Sequence, residues 1–131
     1  MEWKPNATVA VVVADNDRYL MVEERSNGQV VYNQPAGHVE HNESIFDAAR
    51  RETLEETGYE VTLTDFLGIY TYNPPHNDIV YHRYCFVGEI GRKVSDNLDT
   101  DILAAHWLTY DEIQQAQDKH RSPMILECIE D

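Results

Sequence analysis

The chain has 131 residues, 42% of them hydrophobic and 26% charged, with a formal net charge of -14. That describes one ordinary domain, residues 3–131, long enough to bury a core, too short for two, and neither disordered nor fibrous. The ten Lys and Arg residues are scattered, so no basic stripe waits for a nucleic-acid polymer, and an anionic small substrate would need recruited cations to approach such a surface.

Ala7 to Ala14 is a nearly continuous run of small and β-branched apolar residues, which predicts a strand buried on both faces. After a turn at Asp15-Asn16-Asp17, Tyr19 to Glu24 and Gln29 to Tyr32 read as two further strands of a meander, joined through Ser26-Asn27-Gly28. Asn33-Gln34-Pro35-Ala36-Gly37 reads as a break. A helix is expected from about Glu43 to Thr57, closed by Gly58 where a left-handed cap is favoured. Strand-like runs return at Tyr59 to Tyr72 and Ile79 to Ile90, with the prolines of Asn73-Pro74-Pro75-His76-Asn77-Asp78 marking a loop between them. Ala104 to Leu108 is a short strand. Thr109-Tyr110-Asp111-Glu112 has capping-box spacing and predicts a helix to about Lys119, and Ser122-Pro123 suits the start of a last helical turn. Cys85 and Cys128 form no CxxC pair and are too few for a disulfide framework, in keeping with a reducing compartment. The start of the sequence lacks a signal pattern, and no apolar run approaches the roughly 20 residues of a membrane span, so a cytoplasmic location away from membranes is expected.

At ~100° per residue, Ile45, Ala48, Ala49, Glu52, Glu55 and Glu56 share one side of the first helix. Its first half is small and apolar, as a face packed on a sheet should be, yet three carboxylates occupy the second half. Like charges in partial burial repel and raise one another's pKa values, so the stripe calls for a positive partner. Mg²⁺ is a hard cation that takes carboxylate oxygens and shares its other positions with water and phosphate, and the spacing i, i+3, i+4 delivers such a cluster from one helix. Arg51 has Asp47 and Glu55 at i±4 and is placed to hold the cluster's edge. An exposed helix of i,i+4 ion pairs is the plain alternative. The apolar start of the stripe weighs against it.

The preceding loop, Pro35 to Glu43, extends the pattern. Gly37, five residues, Glu43, seven residues, Arg51-Glu52, then Glu55-Glu56 and Gly58 match all seven fixed residues of G-x5-E-x7-R-E-U-x-E-E-x-G-U, where U is a bulky aliphatic. On these residues the chain is identified as a member of the Nudix hydrolase family. Trp3-Lys4-Pro5, Thr8-Val9-Ala10, Val22-Glu23-Glu24, Asn33 to Glu40 and Arg121-Ser122-Pro123 resemble a bacterial phosphatase branch of that family over almost the whole chain.

The resemblance implies an α/β fold, an α/β/α sandwich with a mixed central sheet, and a motif at 37–59 that binds Mg²⁺, with Mn²⁺ as a substitute. It implies metal ligation by Glu52, Glu56 and the Gly37 carbonyl, a role for Glu55 as ligand or as the base that activates water, and an ion pair of Glu43 with Arg51 that supports the motif. It implies hydrolysis of a phosphoanhydride bond in a small phosphorylated molecule, with release of phosphate from nucleoside tri- and diphosphates and thiamine-type pyrophosphates, by a monomer or homodimer. A pyrophosphatase of a nucleoside diphosphate linked to another group, and a ligand-binding module that does not cut, are the competing readings. Thr53 and Tyr59 stand where bulky aliphatics are usual. Both are packing positions.

Outside the motif, Tyr32, Arg25, His38 and Arg83 are the candidate substrate contacts: Tyr32 as a stacking ring, the arginines as phosphate partners, His38 through its place beside Gly37. His41 shares that loop, and Tyr70, Tyr72, His76 and Tyr81 could extend the aromatic platform, though rings on strands are more often core filling. Trp107 reads as core. His82, His106 and His120 show no ligand spacing. A further acid for the metal is expected downstream of the helix, and Glu89, Asp99 and Asp101 all qualify.

Overall fold

The computed structural model describes residues 6–26, 28–73, 78–95, 97–116, 120 and 129. Strand β1 (Asn6–Asp15) is its central element. Val9 to Val13 are all buried because β1 is covered on both faces, as its unbroken apolar run requires. It pairs with β6 (Tyr81–Lys93) in parallel, and β6 pairs in turn with β5 (Tyr59–Tyr72) in antiparallel fashion, so the sheet is mixed. A tight hairpin joins β1 to β2 (Arg18–Ser26), its two turn residues Asn16 and Asp17 at φ 50° and 68°, the geometry that matches strand twist and that Asn and Asp tolerate. Strand β2 carries β3 (Gln29–Asn33) on one side and β7 (Ile102–Thr109) on the other.

Successive residues of β2 separate the two helical layers. Leu20 joins the core formed by Val9, Val11, Val13 and Phe86 with Ala48 and Ala49 of helix α1 (Ile45–Thr57). Met21 faces the other way, onto Ile113 of helix α2 (Tyr110–Gln115). With a helix on each face of a mixed sheet, the α/β class and the sandwich inferred from sequence both hold.

Several boundaries move. Ala36–His38, read as part of a break, forms a short strand, β4, antiparallel to β1 with Val9 opposite Gly37. Pro35 has no N–H to give, but its carbonyl accepts from Val11 N at 3.0 Å, so proline here opens an edge strand. Helix α1 starts at Ile45 because Ser44 is its cap, the Oγ accepting from Asp47 N at 3.0 Å, and Glu43 is left outside the helix. Strand β6 begins at Tyr81 and runs to Lys93, where it meets the start of β5 at Tyr59. The capping box of α2 is formed, with Thr109 and Glu112 bonded reciprocally, but the helix stops at Gln115, since Ala116 leaves helical geometry at φ -94° and ψ 21°. Residues 117–119, the segment Arg121-Ser122-Pro123, His76 and Cys128 lie outside the described residues.

Gly58 caps α1 at φ 79°, its N–H bonded to Leu54 O, and a β-carbon there would run into the backbone carbonyl of Ser95. Gly58→Ala is therefore expected to cost about 1–3 kcal/mol, read as a lower urea midpoint at unchanged slope. A variant as stable as the parent would show that the helix end can relax around a side chain.

Candidate active site

Arg51 organises the end of α1 that faces β4. Its Nε and Nη2 hold the two oxygens of Glu43 at 2.8 and 3.0 Å, Nη1 reaches Glu52 at 2.7 Å and Glu55 at 3.2 Å, and Nη2 also bonds the carbonyl of His38 at 3.0 Å. Those bonds and the Glu40 N–H hold Glu43 below the usual carboxylate range. Hydrogen bonding to Glu43, foremost, makes Arg51 still harder to deprotonate. The i-4 partner read from the sequence goes elsewhere: Asp47 pairs with Arg50 at 3.1 Å on the exposed side of the helix. Arg51 thus acts by positioning carboxylates, with five of its hydrogen bonds directed at them and at one carbonyl of β4.

The buried face of α1 runs through Ala48, Ala49, Thr53, Glu56 and Thr57, about one step around from the stripe drawn on the sequence. Thr53 is fully buried where an aliphatic is usual, and satisfies its hydroxyl on Ala49 O at 2.9 Å. Glu56 is 7% exposed and accepts from Ala36 N at 2.8 Å. Burial pushes its carboxyl up to about 9, with Glu52, Glu24 and Asp99 adding repulsion that the Ala36 bond only partly offsets. Burial likewise pushes Glu52 up to about 7, against the lowering pull of Arg51. Glu52 lies over Gly37, where a β-carbon would occupy the space of its carboxylate, so the glycine makes room for an acid.

Among the described residues, Glu52, Glu55 and Asp99 offer carboxylate oxygens that all lie within 4.8 Å of one another. Asp99 is brought there by its backbone N–H, which bonds Glu55 O at 3.0 Å. Of the three downstream acids weighed from the sequence, it is the one the fold delivers: Glu89 is exposed on β6 opposite Thr62, and Asp101 gives its carbonyl to Arg25 N. The donor set is oxygen only and clustered, and burial makes charge costly on Glu52 and on the neighbouring Glu56, which suits a hard divalent cation. The alternation of β4 with β1, fixed by Val11 N to Pro35 O and Val39 N to Ala7 O, turns the Gly37 carbonyl toward β1. Ala36 and His38 direct their backbone groups outward, toward α1.

The model of the NUDIX domain matches residues 4–128. The chain belongs to the Nudix hydrolase family. Phosphatase NudJ of Escherichia coli K12 is 37% identical over 128 residues, covering 97% of this chain and 82% of the relative. A solved Nudix hydrolase from Nitrosomonas europaea superposes with a TM-score of 0.93 at 44% identity, covering 97% of this chain and 87% of that one. A UDP-X diphosphatase shares the fold, with a TM-score of 0.80 at 17% identity over 98% of this chain and 63% of that one. The chain is accordingly an enzyme acting on small phosphorylated molecules, of a family that generally uses a divalent metal. No helix among the described residues is long and apolar enough to cross a membrane.

The remaining candidates of this Nudix hydrolase separate by strand face. Arg25 is exposed on the face of β2 opposite to that of Glu24, whose charge acts on Glu56, and so is not brought to the carboxylates. Tyr32 packs with Met21 and Ile113 under α2. Tyr70 packs against Ala10, Ala36 and Cys85. His38 stands next to Gly37 with its ring 6.2 Å from that of Tyr81, and His41 is exposed. Trp107 is half-buried against the main core. His106 pairs with Glu23 at 2.9 Å, away from the site. Arg83 is buried, bonded to Asn33 and Gln34.

In the unfolded chain Glu52 and Glu56 ionise near 4.5, in the metal-free fold at about 7 and about 9. Their contribution to stability is therefore fully present below the unfolded value and is lost as pH rises through the two folded values. In chelator, the thermal midpoint is expected to fall between about pH 6 and about pH 9, less so in Glu56→Gln, and a divalent cation should raise it more at the alkaline end. A metal-free midpoint that is flat or rising over that interval would contradict the assignment.

Proposed function

We propose that this Nudix hydrolase is a magnesium-dependent phosphatase that releases inorganic phosphate from nucleoside tri- and diphosphates and from thiamine-type pyrophosphates, with manganese able to replace magnesium. The observation that carries the reading is the convergence of Glu52, Glu55 and Asp99 within 4.8 Å beside the buried Glu56. The 37% identity to Phosphatase NudJ over almost the whole chain supports the phosphatase half of it.

In this reading Glu52, Glu56 and Asp99 hold the cation, together with the outward carbonyl of Ala36. Gly37 contributes the space that lets Glu52 in. When bound, the divalent ion would neutralise phosphate oxygens and lower the pKa of a coordinated water. Glu55, with 39% of its side chain exposed, faces the solvent side, and its free carboxylate oxygen takes the water proton as the new P–O bond forms and the anhydride P–O bond breaks. Arg51 keeps Glu55 and Glu52 in place throughout, and His38 lines the approach beside Gly37. All these groups lie in one chain and one domain, so a monomer or a homodimer serves equally.

Inorganic phosphate released from a panel of nucleotides and pyrimidine diphosphates tests the reading. Phosphate should appear with Mg²⁺ and vanish in chelator; cleavage confined to a dinucleotide, giving two monophosphates, would reject the phosphatase assignment. Glu55→Gln and Glu56→Gln are each expected to lower kcat by about 10²-fold or more while leaving the fold intact by circular dichroism. Undiminished Mg²⁺-dependent turnover in either variant would sink the mechanism.

A further inference from the structure

We propose that the cavity between the end of α1 and strand β7 is a binding site for a single-ring aromatic acid, and that its occupant steadies the segment that carries Asp99 to the carboxylates. The binding is independent of the phosphatase reading; the effect on Asp99 rests on the reading of that residue as a metal ligand.

The main core does not close at this end. Leu20 of β2 and its cross-strand partner Trp107 form one wall, Thr57 at the end of α1 forms another, and a cavity of about 170 Å³ lies between them. Native interiors hold few voids larger than a water molecule, because lining atoms without neighbours forfeit their dispersion contacts. This one has a local cause. Ala105, on the same face of β7 as Trp107, contributes only a methyl group, and Gly58 turns the chain away before another helical turn can cover the gap. An apolar cavity of roughly 150 Å³ takes up benzene, so the space suits one six-membered ring and is too small for a nucleoside phosphate.

The polar groups of the cavity limit what that ring can carry. Thr57 Oγ1 gives its proton to Thr53 O at 2.6 Å and accepts from Tyr59 N at 3.2 Å, so it has no proton left to offer a ligand. No carboxylate lines the cavity. The one charged side chain that does is Lys93, exposed beside its strand partner Tyr59 with its ammonium 5.9 Å from the centre of that ring. A cation on a flexible stem beside aromatic walls matches a flat ring that ends in an acidic group. This preference opposes the general field of a chain with a formal charge of -14, which would draw positively charged rings instead.

Leu98 supplies the remaining wall, one residue before Asp99. The segment they belong to is pinned at both ends: Val94 N and Ser95 N bond Gly58 O at 2.8 and 3.3 Å, while Asp99 gives its N–H to Glu55 O at 3.0 Å and its carbonyl to Ile102 N at 2.9 Å. A ring packed against Leu98 holds that residue, and Asp99 with it, in the position the cation needs. Ring and cation then strengthen each other's binding by the same factor.

Benzoate and benzylamine, titrated into the whole chain and followed by ligand-observed NMR, test the site. Benzoate is expected to bind about tenfold tighter than benzylamine, and Lys93→Glu, a change at an exposed side chain, should reverse the order. Ala105→Leu fills the gap, so it should abolish benzoate binding and raise the thermal midpoint. No benzoate binding in the parent, or a parent that prefers benzylamine, would overturn the proposal. Paramagnetic resonance of free Mn²⁺ reads the coupling: benzoate should tighten Mn²⁺ binding about fivefold in the parent and leave it unchanged in Ala105→Leu. Mn²⁺ affinity that ignores bound benzoate would overturn the effect on Asp99, whereas a parent that binds benzoate but no Mn²⁺ would overturn the metal reading alone.

Discussion

Glu56 lies almost wholly out of water, with Glu24, Glu52 and Asp99 all acting against its charge, and a single backbone N–H, that of Ala36, bonds it at 2.8 Å. Much of the surrounding geometry follows from holding an acid there. Helix α1 must cross the outer side of β4 at that height, so it must start where Ser44 caps it and stop where Gly58 turns it away. Gly37 must lack a side chain because the same crossing lays Glu52 on top of it. Arg51 then joins the helix to β4 and to the loop before the helix, through His38 and Glu43. The site is a strained electrostatic arrangement in the absence of a cation, and that strain is the clearest physical sign of what the helix end is for.

The motif residues, the first helix, the capping box and the central strand were legible from spacing alone, since each is a local pattern. What escaped was set by contacts distant in sequence. Strand β4 has three residues and follows a proline, so no periodicity marks it; it exists because β1 offers it a partner. Asp99 reaches the carboxylates through a backbone bond to Glu55, which no side-chain spacing records. Arg25 and Arg83 look alike in the sequence, as isolated basic residues on strands. Their fates differ because one side chain points outward from β2 and the other lies beneath neighbours on β6, a distinction set by how each strand is covered. The buried stripe of α1 lies about one position around from the one drawn at ~100° per residue, because Thr53 and Thr57 bury with their hydroxyls satisfied on carbonyls of the helix itself.

The two sides of β4 present opposite chemistry. Toward α1 lie carboxylates, which attract cations. Across β1, in the row that begins at His38, lies a buried guanidinium backed by two amides.

The hydrogen bonds from Ala36 N to Glu56 and from Arg51 to His38 O have one more effect. β4 is a short edge strand, and an open edge is a template on which another chain can add itself. Here two outward groups of that edge, the N–H of Ala36 and the C=O of His38, are already occupied by side chains of α1. Glu56 and Arg51 therefore also cover part of this edge, so that damage to this part of the helix would expose a surface on which another chain can add itself.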